Sequence, residues 1–170
     1  NRATAPNMGN FTGANRFSKF LDVTNFAIAV PTNAIIVGIE ITVERSASVT
    51  NLIQDNAIRI IKNGLPGSTN KAAATLWTGT DVVVTYGSSS DLWGETWTAA
   101  EINASNFGVR LQAIHITTDA TLSTARVDHV TIKVFYQSLD IQPDTGIIEI
   151  LSGDPPSVLL GGYIAPDKGI

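Results

Sequence analysis

Residues 35–44 read IIVGIEITVE, in which Ile35, Val37, Ile39, Ile41 and Val43 lie on one face and Gly38, Glu40, Thr42 and Glu44 on the other. Successive side chains on a strand point to opposite faces, so this period of two predicts a strand with one face in a core and the other toward solvent. Such a strand needs neighbours. Residues 126–136 supply a second long one, with Asp128, Val130, Ile132, Val134 and Tyr136 in one phase and Val127, His129, Thr131, Lys133 and Phe135 in the other. The phase carrying Val130, Ile132 and Val134 is expected to face inward.

Shorter strands are predicted within residues 17–30, at 57–62, at 72–77 and at 82–86, separated by turn residues. Asn63-Gly64 closes one of them as a hairpin signal, because both residue types tolerate positive φ. The stretch DLWGETWTAAEINASNFGVRL, residues 91–111, interrupts this series with a helix start. In it Thr98-Ala99-Ala100-Glu101 fits a capping box: the Thr98 hydroxyl accepts from the Glu101 amide while the Glu101 carboxylate accepts from the Thr98 amide. Asn103, Ser105 and Asn106 end the helix early, and Phe107, Val109, Leu111 and Ala113 resume the strand period.

Many short strands, frequent turns and one brief helix predict an all-β fold, an antiparallel β-sandwich of jelly-roll type. The domain is expected over residues 17–137, between an N-terminal arm at 1–16 and a C-terminal arm or linker at 138–170. In the latter, Pro143, Pro155, Pro156 and Pro166 break the apolar pieces 147–151 and 158–160. Pieces so short cannot form a core of their own, so they are expected to add strands to the sandwich or to a neighbour, or to lead onward.

Only 15% of residues are charged and the net charge is −4, with lysines and arginines scattered. That argues against nucleic acid as a partner. Without cysteine there is no disulfide, thiolate metal site or thiol nucleophile. No apolar run approaches the ~18 residues of a membrane span, and no basic-then-apolar leader is present.

Candidate chemistry is sparse. His115 lies at a strand end, and His129 beside Thr131 and Lys133 on the less apolar face. Serines and Asp128 lack a nucleophile-elbow motif for a hydrolytic triad. Asp91, Glu95 and Glu101 cluster in sequence and are the candidates for a carboxylate pair in glycoside hydrolysis. Asp119 with Thr117 and Thr118, or Asp81 with Thr78 and Thr80, could offer oxygens to calcium without the spaced acidic series of a dedicated loop. No catalytic, cofactor or metal residue is therefore assigned. Asp91, Trp93 and Trp97 are the candidate surface for a ligand or partner; the competing reading, which is favoured, has the tryptophans covering one end of the core.

The blocks Asp91-Leu92-Trp93-Gly94, Trp97-Thr98, Glu101-Ile102-Asn103, Asn106-Phe107-Gly108-Val109 and residues 127–136, with Gly38-Ile39-Glu40 earlier, resemble a β-sandwich module of tailed-phage virion proteins and related bacterial surface proteins. The resemblance covers roughly residues 17–136 and carries no catalytic residue. It implies a non-enzymatic virion subunit, a capsid decoration or tail or fibre component, assembled in the host cytoplasm. Such a subunit would be a homo-oligomer bound to other virion proteins through its arms. A module that binds carbohydrate or a host receptor, such as a surface glycan, through Trp77, Trp93 and Trp97 is the alternative.

Overall fold

A computed structural model describes residues 2–118 and 120–138. Its elements in order are β1 (Ala3–Met8), β2 (Leu21–Thr24), β3 (Ile35–Ala47), β4 (Ile53–Lys62), β5 (Leu65–Pro66), β6 (Val82–Ser88), α1 (Ala99–Asn103), β7 (Gly108–His115) and β8 (Ser123–Gln137). Two four-stranded sheets result, in the orders β1-β8-β3-β6 and β2-β7-β4-β5. First pairs with last, second with seventh, third with sixth and fourth with fifth, all antiparallel. The chain is thus one long ribbon hairpin, rolled up so that β3 meets β8 and β4 meets β7. That is jelly-roll topology, as the strand pattern predicted.

The expected N-terminal arm is corrected in part. Residues 3–8 are an edge strand, Ala3 pairing with Val127 and Met8 with Ser123, so the sandwich begins well before residue 17. An Asn- and Ala-rich sequence carries little periodicity, but Met8 is buried against Ala125, and backbone pairing with β8 supplies what the side chains do not announce. The C-terminal arm lies outside the described residues except for Ser138.

Residues 72–77 are not a strand either. They run irregularly beside β4, held by bonds such as Lys71 N to Ile58 O (2.9 Å) and Trp77 N to Ile53 O (2.8 Å). Between residues 17 and 30 only β2 forms, because Asn25 and Ala27 take positive φ and leave the extended region. The Asn63-Gly64 turn is found with both φ positive, 52° and 80°.

β3 pairs with β8 along most of its length, and two register shifts decide which side chains reach the core. The first falls between Ile36 and Gly38, so Ile36 turns inward (6% exposed) and Ile35 outward (49%), correcting the phase expected at that end. The second leaves Asp128 without a counterpart, so β8 presents Val130, Ile132 and Val134 inward beyond it, as expected, and Ala125 and Val127 before it. Ile39, Ile41 and Val43 from β3 face Ile58, Ile60, Val109 and Leu111 from the other sheet across one apolar layer. On β3 the inward phase runs on past Val43 to Arg45. A charged side chain therefore enters the core.

Candidate functional site

Three features of the sandwich have the chemistry of a site. The first is the turn that carries Asp91, Trp93 and Trp97. Trp93 adopts φ +60° and Gly94 φ +71°, a tight left-handed pair that costs a non-glycine residue of the order of 1–2 kcal/mol. The turn is fixed from several sides. Asp91 Oδ1 accepts from the Trp93 amide (2.8 Å), the Asp91 carbonyl accepts from the Ile39 amide (2.9 Å), and Lys71 Nζ meets Asp91 Oδ2 at 2.6 Å. Partial burial works against the Asp91 charge, but Lys71 and the Trp93 amide outweigh it and hold the carboxyl below its ordinary value.

These bonds aim the Trp93 indole into the core, where it is fully buried and donates from Nε1 to the Ile39 carbonyl at 2.9 Å. Gly87 makes room for it. At φ +79° on β6, a Cβ there would overlap the Ile39 carbonyl oxygen and come within 2.8 Å of Trp93 Nε1. Trp97 is half-buried, edge-on to Phe107 with ring centroids 5.4 Å apart, and donates from Nε1 to the Leu92 carbonyl at 3.0 Å. Trp77 is buried as well. Asp91, Trp93 and Trp97 are thus brought together, but as a core plug rather than an open stacking platform.

The capping box at α1 forms as predicted: the Glu101 amide donates to Thr98 Oγ1 (3.2 Å), and the Thr98 amide to Glu101 Oε2 (2.9 Å). Hydrogen bonds from the Thr98 amide and hydroxyl, together with Asn63 and Lys62, keep the Glu101 carboxyl below its usual range. Asp91 and Glu101, two of the three carboxylates considered for glycoside hydrolysis, are therefore committed to local structure.

The second feature is the buried cluster around Arg45, which sequence reasoning missed. Arg45 on β3 is 3% exposed and Asp55 on β4 4%, with Arg45 Nη1 3.0 Å from Asp55 Oδ1. Asp55 also accepts from Trp77 Nε1 (2.9 Å), the Tyr86 hydroxyl (2.7 Å) and the Ala73 amide (3.1 Å). The guanidinium stacks on Trp77, 4.8 Å from the ring centroid, while its Nε and Nη1 lack aligned hydrogen bonds. Burial pushes the Asp55 carboxyl up, opposed by Arg45, Tyr86 and Ala73. The only signal in the sequence was an Arg continuing the inward phase of β3.

Burial and the Asp55 charge push the Tyr86 phenol well above its ordinary 10.0. The folded state therefore holds this proton more tightly than the unfolded chain, so the stability it lends is full below the unfolded value and is lost as pH rises beyond it. Urea midpoints compared at about pH 8 and about pH 11 are expected to fall further in the native protein than in Tyr86→Phe. Equal falls would show that Tyr86 does not govern the alkaline limb.

The third feature is a cleft of about 450 Å³ where edge strands β1 and β2 of the two sheets face each other. Ala5, Met8, Trp77, Leu111 and Ala113 line it, and Phe17 and Phe20 stand at its margin, 46% and 54% exposed. Arg110 lies 4.9 Å over the Phe20 ring and is itself held by Asp22 through two 2.7 Å bonds; Arg16 lies 5.6 Å from the Phe17 centroid. The Arg110 bonds hold the Asp22 carboxyl below its ordinary range.

His115 closes β7 fully buried, with Nδ1 3.2 Å from the Thr117 carbonyl and Nε2 without a hydrogen-bond partner. His129 is exposed on the outer face of β8. Asp81 pairs with Arg2 at 2.6 Å, and Asp119 is outside the described residues. Among the described residues no group of three or more His, Asp or Glu side chains could hold a metal ion, and no helix is long and apolar enough to cross a membrane. Compared with protein-family models and with curated proteins, the chain matches none.

Proposed function

We propose that this chain is a non-enzymatic structural subunit of a tailed-phage particle, a capsid decoration or tail or fibre component that works by self-association and by docking on other virion proteins. The observation that carries the reading is the margin of the cleft. Two exposed phenylalanines, each with an arginine over its ring, sit beside two sheet edges. Aromatic residues and arginine are the side chains that concentrate binding energy at protein interfaces. Jelly rolls serve in viral coats and in lectins alike, so the fold agrees with the reading without selecting it. The glycan-binding alternative finds less support, since it needs indole faces in solvent and Trp93 is fully buried.

Light scattering of the full chain over a concentration series is the direct test. A concentration-dependent oligomer is expected, and Phe17→Ser with Phe20→Ser is expected to weaken it by about thirtyfold or more, as loss of ~2 kcal/mol at an interface anchor implies, with unchanged circular dichroism. A native chain monomeric throughout would overturn self-association. Mass spectrometry of purified particles tests the location: the chain should be present in fixed proportion to the major coat protein, and its absence would sink the virion reading.

A further inference from the structure

Through the main core the two sheets meet by large side chains, Ile39, Ile41 and Val43 against Ile58, Ile60 and Leu111. Where β1 faces β2, the lining shrinks to residues such as Ala3, Ala5, Ala113 and Ala125. Packed sheets lie about 10 Å apart, and facing methyl groups are too short to span that distance, so the cleft of about 450 Å³ opens there. Ile58, Leu111 and Trp77, all buried residues, line it as well.

Two polar side chains of the lining are already committed. Gln112 Nε2 donates to the Ser18 carbonyl (2.9 Å) and its Oε1 accepts from Asn56 (2.6 Å). Ser18 Oγ donates to the Lys19 carbonyl (2.8 Å) and accepts from the Ala113 amide (3.0 Å). What they leave for a ligand is apolar contact. The lip, by contrast, is cationic. Lys19 belongs to the lining, and Arg16 and Arg110 stand over Phe17 and Phe20; Asp22 offsets only Arg110, through its two bonds to that guanidinium. An apolar slot with positive charge at its mouth complements a molecule with a hydrocarbon body and an anionic head.

We propose that this cleft binds a single long-chain carboxylate, with its alkyl chain between the sheets against Trp77, Ile58 and Leu111 and its head at Lys19 and Arg16. A gap of one sheet spacing admits one chain, and the cleft falls within the ~300–1,000 Å³ of small-molecule sites. The site goes beyond the assembly reading. Its test detects a bound molecule rather than a change of mass, so the two can fail separately.

Dibromostearate, added to the full chain below its micelle concentration, is expected to quench tryptophan emission to a plateau at one molecule per chain, with micromolar affinity. Unlabelled stearate should reverse the quenching by competition. Bromine quenches at near contact, and Trp77 lines the cleft while Trp93 and Trp97 belong to the turn before α1, so Trp77→Phe should remove most of the effect. Ala5→Phe, which fills the slot from an edge strand, should abolish binding. Lys19→Glu at the exposed lip should weaken it about tenfold, both variants keeping the native circular dichroism. Absence of a plateau, as when the full chain or a second copy fills the cleft itself, would overturn the proposal. Undiminished quenching in Trp77→Phe, or native affinity in either of the other variants, would overturn it too.

Discussion

Arg45→Ala is expected to destabilise the sandwich by about 3–5 kcal/mol, because it removes one partner of a buried ion pair and leaves the other in the core. Asp55 must then keep a lone charge between the sheets or take up a proton, while the face of Trp77 loses the guanidinium stacked on it. Guanidinium denaturation followed by circular dichroism measures the loss. Asp55→Ala strands the opposite charge along with the Trp77 and Tyr86 donors. If the two side chains act as one unit, the double variant falls short of the sum of the singles by at least about 1 kcal/mol. Strict additivity, or a loss under about 1 kcal/mol for Arg45→Ala, would mean that water satisfies both groups without the pair.

Trp93→Ala is expected to cost a similar amount, about 3–5 kcal/mol, the usual range for removing a fully buried aromatic side chain. The indole fills the space between the β3–β6 pair and the helix-bearing turn, and its Nε1 satisfies the Ile39 carbonyl. Alanine at φ +60° retains the backbone strain without the packing that offsets it. Trp93→Phe restores most of the apolar area but not the hydrogen bond, so it should recover part of the stability and remain about 1–3 kcal/mol short. A thermal scan ranks the three proteins. Trp93→Ala within about 1 kcal/mol of the native protein would show that the turn holds the fold's end by its backbone alone.

Both substitutions are aimed at groups whose partners come from distant parts of the chain. Arg45, Asp55, Trp77 and Tyr86 come from four separate segments. The cluster exists because β3 pairs with β6 while β4 lies across the sandwich from them. No spacing rule links these positions, and a lone Arg after an alternating strand reads equally well as a solvated end. The cleft at Phe17 and Phe20 arises in the same way. It needs β1 and β2, the least patterned strands, to fall at the edges of opposite sheets.

By itself the sequence determined what depends on near neighbours: the strand period of residues 39–43 and 130–134, the Asn63-Gly64 turn, the capping box at Thr98 and Glu101, and with them an all-β sandwich. Each follows from side-chain alternation or from bonds spanning a few residues, which local chemistry enforces wherever the segment is placed. Tertiary structure alone decided the rest. Backbone pairing with β8 turned residues 3–8 into a strand, and a register shift after Ile36 exchanged it for Ile35 in the core. Packing carried Trp93 inward and made an ion pair of Arg45 and Asp55. Those outcomes are settled by which distant strand supplies the missing hydrogen bonds and apolar contacts, and a linear pattern holds no record of that choice.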